Sequence, residues 1–377
     1  MSEAVQLQPA ELRVEVLDGR DAFVGLEREW NAALARGPRD EPMLRHEWVR
    51  AWIENFAPGA TLRTFVVRAG GREICAAAPL IETRDRNADT CFLAATTWSS
   101  PVNDHSQRGG LLLGARVEES LELLWRTLLA APGWDRLRLR DLPDGAPEWR
   151  LRDLAAGKGH SCGLWESLRS PYLPLPKTYE AVEKALDGKF RQNLRRRRRR
   201  LEALGEVQYQ LAEGRSLDEA LADFYEIEAG GWKGKDGTAI AQRPELVGFY
   251  TQVAREALKR GALALGTLTL AGRPIAAHLS IVHGKRHYLI KIGYDESLHE
   301  HSPGQQLVAE AIRDSCTRGL SEFDFLGPCM EWKLDWESKL RPHAWLTIYR
   351  PTTRMKMVHA LRHTAWPMAR ALFAKRS

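Results

Sequence analysis

Three runs of sequence decide how this chain folds: LALGTLTL (Leu263–Leu270), IAAHLSIV (Ile275–Val282) and YLIKIGY (Tyr288–Tyr294). Each is mostly apolar and of strand length, and the turn signals Ala271-Gly272 and His283-Gly284 join them. They read as an antiparallel meander. Upstream, Val207 to Leu211 reads as a strand. Ser216 with Glu219 has the form of a capping box for a helix through Leu221, Phe224 and Ile227, and Pro244 opens a second helix that runs to Gly261. Downstream, Ser302, Pro303 and Gln305 have the form of a helix start. Leu307, Val308, Ala311, Ile312 and Ser315 mark that helix's inner face, and Gly319 ends it. Phe323 to Leu326 is a further strand, Met330 to Leu340 a Trp/Lys-rich segment, and His343 to Tyr349 a last strand.

The first half has the same order. Leu12 to Leu17 is a strand, and two helices follow, one through Phe23, Leu26, Trp30 and Leu34, one through Trp48, Trp52 and Phe56. Leu62–Arg68, Glu73–Ile81 and Cys91–Trp98 form a meander. Val117–Ala130 is a helix, Asp135–Arg140 a strand, Glu148–Ala156 a helix and Ser161–Leu168 a strand. Gly71-Arg72-Glu73-Ile74-Cys75-Ala76 matches Gly272-Arg273-Pro274-Ile275-Ala276-Ala277 at the same turn. The repeated order argues for duplication of one domain. Pro171, Pro174 and Pro176 read as a stiff linker. The expected division is residues 1–170, a linker and leading helix at 171–189, a second domain at 190–352, and a basic amphipathic tail at 353–377.

At the seam stands Phe190-Arg191-Gln192-Asn193-Leu194, followed by six arginines, Arg195 to Arg200. Phe190, Leu194, Leu201 and Leu204 fall on one face of a helix, with Arg197 in the middle of that face. Arg198 and Arg200 flank it, and Arg195, Arg196 and Arg199 point away. Arg197 is therefore expected to turn toward the protein and meet a carboxylate or a ligand phosphate.

Bulk composition narrows the class. Of 377 residues, 44% are hydrophobic and 28% charged, which suits a globular chain with a sizeable core in each half. The net charge of +6 equals the arginine run, so the positive field is local and bulk charge gives no case for nucleic-acid binding. Five scattered cysteines without C-x-x-C spacing argue against a zinc site or a disulfide framework and suit a reducing compartment. The closest histidine pair, His299 and His301, offers no ligand set, so no metal is expected. No run has signal-peptide or membrane-span length, which makes the cytoplasm the expected location. The tail, with Met355, Val358, Leu361 and Leu372 among Lys and Arg, suits either contact with an anionic membrane surface or packing on the domain.

The order of elements, taken twice, resembles the GNAT N-acyltransferase fold in tandem, as in FemAB-type peptidoglycan aminoacyl transferases. The sequence is most similar to the BioF-like/CelD-type branch. The resemblance rests on Phe190–Leu204, Gly230–Ala239 (GGWKGKDGTA), Gly272–Ala277, Gly293-Tyr294-Asp295 with Ser302-Pro303-Gly304, Asp324-Phe325-Leu326-Gly327 and Trp332-Lys333. It implies an α/β fold with mixed sheets in two tandem GNAT-like domains. It also implies acyl transfer to an amine or hydroxyl of an anionic cell-envelope or exopolysaccharide precursor, with acyl-CoA as co-substrate. The loop His301 to Gln306 departs from the glycine-rich pyrophosphate loop of typical GNAT enzymes. FemAB-type enzymes share that departure and use aminoacyl-tRNA, which gives a second reading. A third is a non-catalytic module that binds RNA or another anionic polymer.

The residues divide by chemistry. Ser302, Gly304, Gln305 and Gln306 lie at a helix N-terminus, where free amides and the dipole favour phosphate. Acyl transfer needs a proton acceptor, oxyanion donors and a proton for the leaving group. Asp324, Glu331, Lys333 and His278 are the expected catalytic candidates, though a strand histidine is more often a core residue. Trp232, Lys233 and Lys235, in a glycine-rich loop, and Arg197 suit an anionic substrate. No nucleophile motif such as G-x-S-x-G occurs, so transfer is expected to be direct.

Overall fold

The computed structural model describes residues 10–231 and 237–365. In chain order the first half contains β1 (Leu12–Asp18), α1 (Arg20–Val24), α2 (Glu27–Leu34), α3 (His46–Phe56), β2 (Thr61–Ala69), β3 (Glu73–Asp85), β4 (Ala95–Ser99), β5 (Leu112–Leu113), α4 (Val117–Ala130), β6 (Arg136–Pro143), α5 (Arg150–Ala156) and β7 (Ser161–Pro174). The second half contains α6 (Tyr179–Ala185), α7 (Gly188–Glu202), β8 (Val207–Leu211), α8 (Leu217–Ala229), α9 (Pro244–Lys259), β9 (Leu263–Leu270), β10 (Arg273–His283), β11 (Arg286–Tyr294), α10 (Pro303–Thr317), β12 (Glu322–Asp324), α11 (Glu331–Leu334), β13 (Lys339–Tyr349) and α12 (Thr353–Ala360).

The chain forms two compact units: Met1–Ile53, Ala57–Ser167 and His343–Ser377 in one, Glu54–Phe56 and Leu168–Pro342 in the other. In the first, β1, β2, β3 and β4 pair antiparallel in sequence order, β4 pairs parallel with β6, and β6 pairs antiparallel with β13. In the second, β8, β9, β10 and β11 pair antiparallel, β11 pairs parallel with β12, and β12 pairs antiparallel with β7. Each unit thus has a four-strand meander and one parallel pair, the fold expected of tandem GNAT-like domains.

Each unit takes one strand from the other half of the chain. The part of β13 from His343 onward pairs with β6 and belongs to the first unit. The part of β7 from Leu168 onward pairs with β12 and belongs to the second. This corrects the linear boundaries expected from sequence. The supposed proline linker is also strand: Pro174 stands opposite Glu322, and the Pro171 carbonyl accepts from the amide of Phe325. Proline removes a donor but keeps its acceptor, so the ladder tolerates it there.

Arginine-helix α7 docks as its apolar spacing dictates. Asp187 caps it by accepting from Lys189 and Phe190 amides. Leu194 and Leu201 are buried, against α10 residues in both cases, which stabilises the helix by about 2 kcal/mol per leucine. Leu204 is exposed, because the helix ends at Glu202 and the next turn leaves its face. Arg197 and Arg198 are half-buried, while Arg195, Arg196, Arg199 and Arg200 are exposed. In the tail, α12 buries Met355 and Val358 beside Ala95 and Tyr349, so its first turns are part of the first unit. Among the described residues no helix is long and apolar enough to cross a membrane.

Candidate active site

The second unit's one parallel pair sets the site. β11 and β12 match from Arg286↔Glu322 to Tyr288↔Asp324, and there the register ends while β11 continues to Tyr294. Beyond Asp324 the chain turns through Leu326 and Gly327, both at positive φ (51° and 58°). The carboxyl ends of parallel strands are where open sheets collect ligands. Two features stand at that end: the start of α10 and the segment from Phe325 to Trp336.

The start of α10 does not form the expected capping box. Ser302 is left-handed (φ 49°, ψ 56°), and its side chain makes no cap bond. Its hydroxyl oxygen instead accepts from Arg197, Nη1 to Oγ 2.6 Å. Gln305 is turned to the neighbouring segment. Its Nε2 donates to the Trp332 carbonyl at 3.1 Å and its Oε1 accepts from Trp336 Nε1 at 2.7 Å. Gln306 is buried and donates to the Leu194 carbonyl of α7 at 3.0 Å. The two glutamine side chains are therefore staples between elements. Gly304 lies close to Tyr294, where an added Cβ would stand 3.1 Å from the ring. The chemistry left at this end is the early helix amides, the dipole, Ser302 and Arg197; the first turn itself carries no acidic residue, and the neighbouring Asp335 carboxylate stands 3.4 Å from Gln305 Nε2.

Lys333 and Asp324 meet at the turn that follows β12. Lys333 is buried, and its Nζ donates to the carbonyls of Leu326 (2.6 Å) and Pro328 (3.0 Å). Burial pushes its pKa down to about 8, against the pull of Asp324 and with added repulsion from Lys291. Asp324 is fully buried. One of its oxygens accepts from the Leu326 amide (3.0 Å) and the other from Arg341 Nη1 (2.8 Å). A carboxylate held in this way anchors the turn. Glu331 is exposed on the first turn of α11.

His278 lies apart from this cluster. It is buried in β10, with Nε2 2.9 Å from the Tyr209 hydroxyl and Nδ1 2.8 Å from Ser280 Oγ. Burial takes its pKa down to about 3, so it is a neutral, hydrogen-bonded core residue at ordinary pH. Trp232, Lys233 and Lys235 lie outside the described residues. Sequence reading missed Arg341, the partner of Asp324, and Lys291, which stands on β11 past the parallel register, its Nζ 5.5 Å from the Tyr250 ring centre. Lys291 had a signal, since it interrupts the apolar run of its strand; Arg341 had none. Among the described residues no group of three metal-ligating side chains occurs.

Residues 188–334 match the family described as acetyltransferase (GNAT) domain. Among solved structures, FemX superposes with a TM-score of 0.63 at 12% identity, covering 92% of this chain and 100% of its own. The C-terminal domain of a putative lysylphosphatidylglycerol synthetase from Agrobacterium fabrum gives 0.53 at 12%, covering 90% and 96%. A conserved protein of unknown function from Bacteroides thetaiotaomicron gives 0.53 at 12%, covering 90% and 100%. At these identities the likeness is one of fold. No curated protein matches the sequence. The matched region contains α7, the start of α10 and Lys333, and it sets an enzyme in place of the non-catalytic polyanion-binding module. Residues 188–334 are thus similar to GNAT acetyltransferase domains, and the chain shares its fold with FemX.

Proposed function

We propose that the chain transfers an acyl group from acyl-CoA to an amine or hydroxyl on an anionic cell-envelope or exopolysaccharide precursor. The observation that carries this reading is the start of α10. A diphosphate-bearing donor fits there because early helix amides and the dipole meet the half-buried Arg197, with no carboxylate in the first turn. Pro303 supplies no N–H, so Arg197 takes a larger share than in a glycine-rich loop.

The acceptor nitrogen or oxygen attacks the thioester carbonyl. The new C–N or C–O bond forms, the C–S bond breaks, and the acceptor's proton leaves as the thiolate is released and protonated. Lys333 contributes by fixing the Leu326–Pro328 turn beside the reacting groups, and Asp324 with Arg341 fixes the base of that turn. Peripheral membrane contact belongs to the same proposal. Met357 and Leu361, four residues apart and exposed, would supply it.

The same helix start, lacking a glycine-rich loop, favours an aminoacyl-tRNA donor as the second reading. Calorimetric titration with acetyl-CoA, a long-chain acyl-CoA and tRNA separates them. The first reading expects CoA esters to bind and Arg197→Ala to weaken them about tenfold, or about 1.4 kcal/mol. Binding of tRNA without CoA esters would overturn it in favour of the second.

A further inference from the structure

The second unit has a groove of about 540 Å³ that the acyl-transfer site does not use, walled by α6, α7 and α10. A smaller hollow of about 310 Å³ is lined by Gly188, Arg191 and Gln192, and Arg195 and Arg199 of α7 line both spaces. The groove's walls already hold anions. The Glu310 carboxylate is gripped from both helices, by Arg198 Nη1 at 2.8 Å and by Arg313 Nη1 at 2.5 Å. The Glu183 carboxylate is held in a fork by Arg195, with Nε and Nη2 each at 2.8 Å. The Arg313 guanidinium lies 4.3 Å over the Tyr179 ring, which fixes its plane.

Four arginines face three carboxylates here (Glu183, Glu202 and Glu310). Arg199 is the odd one. It is exposed and has no carboxylate partner among the described residues. The surrounding pairs are cheap to rearrange, because exposed ion pairs are worth about 0–1 kcal/mol each, and the Arg195 and Arg313 side chains are 59% and 49% exposed. A phosphate matches the forked donors that these guanidiniums present, and the volume is that of a small-molecule site.

We infer that this groove is a second anion site, which takes a phosphate-bearing ligand with Arg199 as its unneutralised contact and Arg195, Arg198 and Arg313 as arms released from their carboxylates. It stands independently of the donor-site reading, which uses Arg197 on the opposite flank of the helix sequence.

The test is calorimetric titration of inorganic pyrophosphate into the full chain carrying Arg197→Ala, which weakens the proposed donor site and leaves the groove's arginines in place. The expected result is binding that Arg199→Ala weakens at least threefold and Arg199→Ala with Arg313→Ala at least tenfold. The exposed control Arg200→Ala stays within twofold, and Glu183→Gln, which frees Arg195, binds tighter. Arg199→Ala breaks no ion pair, so its effect does not depend on an altered fold. Absence of binding, or equal losses with Arg200→Ala, would overturn the inference. Co-sedimentation with phosphatidylcholine vesicles, with and without phosphatidylglycerol, identifies the source. Binding to phosphatidylglycerol vesicles that falls with Arg199→Ala assigns a lipid headgroup, and binding of pyrophosphate alone assigns a soluble phosphate.

Discussion

Helices α4 and α10 hold the same place in the two units, each between the strands of its unit's parallel pair. Both start from a left-handed residue, Arg116 (φ 53°) and Ser302 (φ 49°). The chemistry of the two starts is opposite. The first turn of α4 carries Glu118 and Glu119, and Arg116 is spent on Glu119. The first turn of α10 carries no acid and is met by Arg197. One helix end carries acids in its first turn; the other has none there and is the end the proposed donor site uses. The two units share this backbone feature, and only the second-unit copy has the charge pattern that the proposed donor site needs.

The comparison breaks most visibly if α10 is made to resemble α4. Gln305→Glu puts a carboxylate into the first turn and should lower acyl-CoA turnover about a hundredfold, of the order of 2.7 kcal/mol. Glu118→Gln with Glu119→Gln should leave turnover within twofold, read in the same assay. Lys333→Ala leaves the buried Leu326 carbonyl without its donor and should cost about 2 kcal/mol of stability in urea unfolding. Turnover should fall with it; unchanged turnover would remove Lys333 from the site.

The pH dependence follows from His278 and His287. Burial lowers the pKa of both, His278 to about 3 and His287 well below its usual value. The unfolded chain then binds more protons below about pH 6.5, so the stability they contribute is present above that pH and lost as pH falls. His278 should cost about 2 kcal/mol by pH 5, and His287 should add to the loss in the same direction. Comparing urea midpoints at pH 7 and pH 5 for His278→Gln and His287→Phe measures it, and an acid limb unchanged by both would refute it. The smallest effect is at the matched turns. Gly71 (φ 71°) and Gly272 (φ 78°) have open space around them, so alanine at either should cost about 1 kcal/mol by backbone strain alone. Unequal costs would argue against equivalent turns.

Local pattern carried most of the fold. The meander Leu263–Tyr294, the helix faces and the turns follow from short-range periodicity, and so does the inward turn of Arg197. Strand exchange did not show, because which strand lies beside β6 or β12 depends on partners far away in sequence. The proline-rich run from Pro171 looked like a linker for the same reason: its ladder bonds go to carbonyls opposite distant residues. The site was half legible. Asp324 and Lys333 could be placed near a strand end, but the pairing of Asp324 with Arg341 and the carbonyl contacts of Lys333 are tertiary. Ser302 and Gln305 fitted a capping pattern, yet the left-handed backbone at Ser302 and the nearby Trp332 and Trp336 gave both side chains other partners.

The exchange of β7 and β13 bears on how the chain is made. The first unit's β6 gains its neighbour from His343–Tyr349, residues synthesised long after β6 itself. Domains usually fold N-terminal first during synthesis, but this one has an open strand edge until His343–Tyr349 has been made. An unpaired edge is a template for aggregation, so a chain stalled before His343 should be a chaperone client, not a half-finished enzyme with one sound domain.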